Sequence, residues 1–329
     1  MPQISVIIVA SRRRQYLERS VRSVLAQTGE GGPLEVVVVK DFADEFVDGL
    51  ANAGKVVTID LAGGPVGDYL ARGVSAAHGD VISFLDDDDA FEPSKISRVR
   101  RAFAEDPGTV YFHNGMNLRY DSQQRVRGLF HQRTGRDLVI DPRNHPSAAV
   151  DRALSLSLPI NLSSVSVRRS LLLNQLGALR EITGSTDFFC FYQALSSGMR
   201  LRFTSEQLTT YYIHASALRP KQIDQEAIRL FDRLSRDQIH VHSMGLRLPE
   251  SVGARRVARS MFTEFQFLAV NLHPRSRREL VRRYSEFLSS SLTLRPIFVA
   301  LATPILVAGL FSRRLALQFL FVGRQVIQD

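Results

Sequence analysis

The stretch Val81–Lys95, reading VISFLDDDDAFEPSK, constrains this chain more than any other. It opens as a short apolar run, with Val81, Ile82, Phe84 and Leu85, which predicts a buried strand. It ends in four consecutive carboxylates, Asp86 to Asp89, and Pro93 and Ser94 then open an amphipathic helix carrying Ile96, Val99 and Phe103. A strand that delivers carboxylates to its C-terminal end places them where open α/β sheets bind ligands. Adjacent anions repel one another, so a cation partner is expected, and magnesium or manganese suits carboxylate oxygens. An acidic loop that merely supports the next helix through its dipole is the plainer alternative.

The segments before it repeat one theme. Ile4–Ala10 predicts a strand, followed by a basic patch of Arg12, Arg13 and Arg14 and a helix to about Gln27. Leu34–Val39 and Val56–Ile59 predict two further strands, with Lys40 and Asp41 just past the first of them. Gly63, Gly64, Pro65 and Gly67 form a turn into a helix through Ala77. This β-α-β-α-β order predicts an α/β fold with a mostly parallel, nucleotide-binding sheet.

These runs, ISVIIVASRRRQYLERSVRSVLAQT, LEVVVVKDF and GGPVGDYLARGVSAAHGDVISFLDDDD, resemble the N-terminal half of the family-2 glycosyltransferases of GT-A fold. The similarity continues through TDFFCFYQALSSG and YYIHASAL, to about residue 218. The resemblance implies transfer of a sugar from a nucleotide diphosphate sugar, usually with inversion. It implies that Asp41 contacts the nucleobase and that Arg72 and Ser11 lie on the donor side. Asp86 and Asp88 match the ends of the D-x-D motif, holding donor and Mn2+ or Mg2+, with His214 closing on the metal. Asp187 resembles the acidic residue that deprotonates the acceptor. Two departures bear on the base: Ser11–Arg12 stand where the family carries an aromatic-polar pair, and Lys40–Asp41 where it carries paired aspartates.

The residues argue for the same roles by themselves. A leaving nucleoside diphosphate gathers negative charge that a divalent cation neutralises. An acceptor hydroxyl needs a base, and Asp187 opens a helix, Thr186–Ser197, rich in aromatics that would raise its pKa by desolvation. A cap on that helix is the structural alternative for Asp187, and His113 and Asn114 are weaker candidates for the acceptor side. Thr109–Phe112 and Ile160–Val167 predict strands of the acceptor half, and the polar excursion Asp121–Asp151 between them predicts a loop.

Charge divides the chain. Residues 1–218 hold 24 Lys+Arg against 24 Asp+Glu, and residues 219–329 hold 18 against 9, so the net charge of +9 belongs to the last third. A neutral body with a basic, apolar tail points to a membrane surface and away from nucleic acid. Pro274–Leu288 predicts a basic amphipathic helix, lying in an interface or packed on the catalytic domain, and Pro296–Val322 an interfacial or re-entrant hairpin broken at Pro304, with a single tilted span as the alternative. One cysteine, Cys190, excludes an internal disulfide or a cysteine zinc cluster. The basic patch after Ile4–Ala10 follows the apolar run instead of preceding it, unlike a secretory signal, so a cytosolic catalytic part at the inner membrane face is expected.

Three regions result: 1–110 for the donor, 111–218 for the acceptor, and 219–329 for membrane association. The expected function is metal-dependent glycosyl transfer to a lipid-linked, polyprenyl-type or glycan acceptor. A nucleotidyltransferase would want glycines after the first strand, where Ala10–Arg14 has none. A non-catalytic basic binding module would give the acidic run no task.

Overall fold

The computed structural model describes residues 1–28, 32, 34–120, 137–144, 149–150, 153, 159–213, 225–248, 254–273, 276–293, 296–312 and 314–317. Strands β1 (Ile4–Ala10), β2 (Leu34–Lys40), β3 (Val57–Asp60) and β4 (Val81–Asp86) are parallel, in the order β3-β2-β1-β4. Between them run helices α1 (Leu17–Leu25), α2 (Glu45–Asn52) and α3 (Val66–Ala76). The sheet continues as β8-β6-β9-β5, with β8 (Val165–Arg168) antiparallel to β4 and to β6 (Thr109–Tyr120). β9 (Arg200–Ile213) runs parallel to β6 and pairs with the short β5 (Ala90–Phe91) and β7 (Leu138–Ile140) at its two ends.

Every residue of β1 is buried, because helices cover both faces of the sheet. Alternation sorts the side chains: Ile7, Val9, Val37 and Val39 enter one core, and Val6, Ile8, Val36 and Val38 the other. The second core is closed by α1, α2 and α4 (Lys95–Glu105), through Val21, Val47 and Val99. The first is closed by α3, α5 (Arg169–Leu173), α6 (Leu176–Arg180) and α7 (Thr186–Ser196). Gly67, expected in a turn, lies inside the first turn of α3, where its backbone N–H donates to the Ile182 carbonyl at 2.9 Å. A Cβ there would stand 1.8 Å from the Leu179 carbonyl oxygen, so only glycine permits this approach.

Two sequence expectations change. β6 does not stop at Phe112 but runs to Tyr120, past register shifts between His113 and Met116 that break the alternation. The strand expected over Ile160–Val167 is shortened to β8 by a 3-10 turn at Leu162–Ser164. Only part of the 121–151 excursion lies within the described residues.

Beyond residue 224 come α8 (Gln225–Gly245), α9 (Ala254–Leu272), α10 (Arg277–Ser291) and α11 (Pro296–Phe311). Val241, Leu248, Val257 and Met261 join the first sheet core, so the start of this helical region completes the α/β domain. Phe231, Phe267, Phe287 and Ile305 form a separate core among the helices. α10 turns Leu280 and Phe287 inward, and Arg282 and Arg283 pair with Glu279 and Glu286 on its surface. α11 continues through Pro304, which sits exposed beside Ala300, whose carbonyl the proline ring leaves without its helical donor. No helix among the described residues is long and apolar enough to cross a membrane.

Candidate active site

The sheet register assembles the site. Val9 pairs with Asp86 and Ala10 with Lys40, so the residues after β1, β2 and β4 emerge side by side at one carboxyl edge. In the order β3-β2-β1-β4 the direction of winding reverses between β1 and β4, and such a switch point opens a crevice for ligands at the carboxyl edge.

On the β1–β2 side, Asp41 is gripped by three donors. Its Oδ1 accepts the Arg12 backbone N–H at 2.8 Å, and its Oδ2 accepts the Ser11 hydroxyl at 2.8 Å and the Tyr69 hydroxyl at 2.9 Å. Burial pushes its pKa up, but these hydrogen bonds outweigh it and hold the carboxyl below the usual range. Lys40 turns elsewhere: its buried ammonium pairs with Asp60 and, at 3.0 Å, with Asp48. Ser11 and Asp41 are therefore brought together as expected. Arg72 is not joined to them; it is exposed on α3 and pairs with Asp68 at 3.5 Å, one helical turn beyond Tyr69.

On the β4 side the acidic run folds into a tight turn clasped by α1. The Ser20 hydroxyl donates to the backbone carbonyls of Asp87 (2.7 Å) and Asp89 (2.6 Å). Arg19 donates to the Asp88 carbonyl at 2.8 Å and lies over the Tyr212 ring at 3.6 Å. Arg13 forks across two carboxylates, Asp87 at 2.6 Å and Asp88. Carboxylate oxygens of Asp86, Asp88 and Asp89 all lie within 4.8 Å of one another. Burial, then the neighbouring Asp88 charge, pushes Asp86 up to about 7, and Asp187 adds to it while Arg13 opposes it. Burial lifts Asp87 to about 8 against the pull of Arg13.

These residues fit a divalent cation. Asp89 is fully buried, its Oδ2 has no hydrogen-bond partner, and burial and then the Asp88 and Asp86 charges push its pKa well up, so a cation settling there would stabilise its ionised form. Three hard oxygen donors from one turn are the set that Mg2+ or Mn2+ prefers. Asp88 belongs to this set, as expected, and Asp89 joins it although the motif spacing did not mark it. His214 lies outside the described residues.

Asp187 stands in the first turn of α7. Its Oδ2 accepts the Asn161 N–H at 2.9 Å and its Oδ1 the Phe188 N–H at 2.8 Å. Burial raises its pKa to about 6 despite those two donors. The turn that supplies Asn161 also reaches the acidic run, because the Ser163 hydroxyl accepts the Asp86 N–H at 3.0 Å. One short turn thus ties the acidic cluster to Asp187. Beneath it the buried Lys95 ammonium donates to the Ser163 carbonyl and, at 3.0 Å, to Thr209.

Among the described residues, three non-glycine residues have positive φ: Arg12 (64°), Asn161 (82°) and Ser185 (57°). Arg12 offers its N–H to Asp41, Asn161 offers its N–H to Asp187, and Ser185 starts the helix that carries Asp187. Each costs on the order of 1 kcal/mol, and such strain gathers at functional sites. Arg13, Tyr69, Lys95, Asn161 and Ser163 escaped the sequence reading because their roles come from contacts 26 to 114 positions away. The basic patch before α1 was the one visible signal. His113 and Asn114 prove structural: His113 is buried against the Ile160 carbonyl with its pKa pushed down to about 3 by burial, and Asn114 bonds Thr209.

The architecture is that of the GT-A glycosyltransferases. The Staphylococcus aureus protein TarS, residues 1–349 in complex with UDP-GlcNAc, superposes with a TM-score of 0.60 at 14% identity, covering 98% of this chain and 90% of that one. A mannosyltransferase from Pyrobaculum calidifontis in complex with GDP-Man and Mn2+ gives 0.52 at 14% identity, covering 98% and 87%. Residues 5–163 match the model of Glycosyl transferase family 2. Over 107 residues the chain is 36% identical to an uncharacterized glycosyltransferase of Nostoc sp. (31% of this chain, 33% of the relative). Over 141 residues it is 32% identical to the succinoglycan biosynthesis protein ExoO of Rhizobium meliloti (39% and 40%). The matches thus span a third to two-fifths of those relatives.

Proposed function

We propose that this chain is an inverting glycosyltransferase that moves a sugar from a nucleotide diphosphate sugar to an acceptor hydroxyl, with Asp187 as the base. The observation that carries the reading is the single turn Asn161–Ser164 bonded at once to the Asp187 carboxylate and to the Asp86 backbone. It sets a lone carboxylate of raised pKa beside a cluster of carboxylates suited to a cation. In direct displacement, Asp187 takes the acceptor proton as the oxygen attacks the sugar carbon and the bond to the diphosphate breaks on the opposite side. Asp41, fixed as an anion, accepts from a base N–H on the donor side, with Ser11 next to it. Asp86, Asp88 and Asp89 would hold Mn2+ or Mg2+, which when bound neutralises charge on the departing diphosphate.

The acceptor in this reading is lipid-linked, and the enzyme works at the inner membrane face. Its support is the last third of the chain, which carries the whole +9 charge, and the outer side of α11, where Val307 (50%) and Phe311 (80%) are exposed. A donor screen tests the function: hydrolysis and transfer with several nucleotide sugars, with and without manganese, in the presence of lipid extract. Metal-dependent transfer from one of them is expected. Silence towards all of them would overturn the reading.

A further inference from the structure

We propose that Arg13 is a built-in counter-cation of the acidic turn, competing with a divalent cation for Asp88 and so setting how tightly that cation is held. The inference rests on the reading of Asp86, Asp88 and Asp89 as a cation site.

The geometry of the fork is the argument. Arg13 bridges two carboxylates of different kinds: Asp87, which is buried outside the cation cluster, and Asp88, which belongs to it. The planar guanidinium can therefore release Asp88 and stay anchored on Asp87. With 39% of its side chain exposed, it has room to swing toward solvent. The turn does not depend on Arg13 for its shape, because Ser20 and Arg19 hold its backbone carbonyls. Removing Arg13 therefore exposes Asp88 without dismantling the site.

A consequence follows for the donor. A cation settling on Asp88 repels the neighbouring guanidinium, which then turns from Asp88 while still anchored on Asp87. An anion entering beside it, such as a diphosphate, gives the guanidinium a new partner. Cation and anion then bind cooperatively, each strengthening the other by the same factor.

The test is Mn2+ binding to the full chain, read by calorimetry or by the electron paramagnetic resonance of free Mn2+, with inorganic diphosphate absent and then present. Without diphosphate, Arg13→Gln should bind Mn2+ at least about tenfold more tightly than wild type, since a charge-assisted hydrogen bond to Asp88 no longer competes. Diphosphate should enhance Mn2+ binding more in wild type than in Arg13→Gln. Lysine keeps the charge but lacks the planar fork that fits the two carboxylates, so Arg13→Lys should bind about threefold more tightly. If Arg13→Gln fails to fold, Arg13→Lys decides alone: tighter binding supports the proposal and unchanged binding overturns it. Equal or weaker Mn2+ binding in the folded variants overturns the competition while leaving the cation site intact. Absence of Mn2+ binding in every form removes the cation site itself, and the proposal with it.

Discussion

Asp41 and Asp86 stand at the ends of β2 and β4, the two strands that flank β1, at the same sheet edge, yet their surroundings act in opposite directions. Asp41 receives three hydrogen bonds from protein donors and is held as a ready anion. Asp86 has the same residue type and a similar position, but burial and like charges push it up to about 7. Number and kind of donors, not burial alone, separate the two. The contrast divides the crevice into a half that the protein has finished electrostatically and a half that a ligand completes. Asp187 belongs with the unfinished half: two backbone donors reach it, and burial still raises it to about 6.

The comparison breaks most sharply at Asp88. Asp88→Asn keeps size but removes a charge from the cation cluster, so transfer should fall by roughly a thousandfold or more, measured as kcat/KM at saturating manganese. Near-wild-type turnover would return the acidic run to a structural role. Asp187→Asn should lower transfer by about the same order while donor affinity in calorimetry stays nearly intact, because the base acts on the acceptor. Equal losses in donor affinity and rate would place Asp187 on the donor side.

A smaller effect sharpens the other half. Asp41→Asn leaves one carbonyl oxygen where two anionic oxygens accept three donors, so donor affinity should drop about tenfold with kcat changed little. A large kcat effect would deny the division of the crevice. The smallest expected effect concerns the membrane: Val307→Glu with Phe311→Glu should cut co-sedimentation with anionic liposomes several-fold and leave donor hydrolysis unchanged. Liposome binding unaltered by this pair would remove α11 as the contact.

Strands were legible wherever apolar runs are uninterrupted, as in Ile4–Ala10, Leu34–Lys40 and Val81–Asp86, since burial on both faces leaves no other composition. β6 was cut short because polar His113 and Asn114 follow its apolar start, whereas inside the fold His113 bonds the Ile160 carbonyl and the Asn114 amide donates to Gly115 and Thr209. The residues at strand ends, Asp41, Asp86 and Asp88, were also legible, because position after a strand fixes their edge of the sheet. Arg13 and Asn161 were not. One is chosen by a fork of carboxylates over 70 positions away, the other by a backbone N–H aimed through a positive φ. The expected separation at residue 218 hid that α8 and α9 help to close the sheet core, because their apolar stripes do not say which partner they cover.

The central claim is that a carboxylate tuned by burial takes the acceptor proton. The pH dependence of transfer at saturating metal and donor tests it most directly. As the proposed base Asp187 would work deprotonated, and burial raises its pKa, so the rate should be full above that pKa and be lost as pH falls through about 6. The residual activity of Asp187→Asn should lack this limb. A wild-type rate that stays level from about pH 5 to 8, or a limb that persists unchanged in Asp187→Asn, would contradict the account.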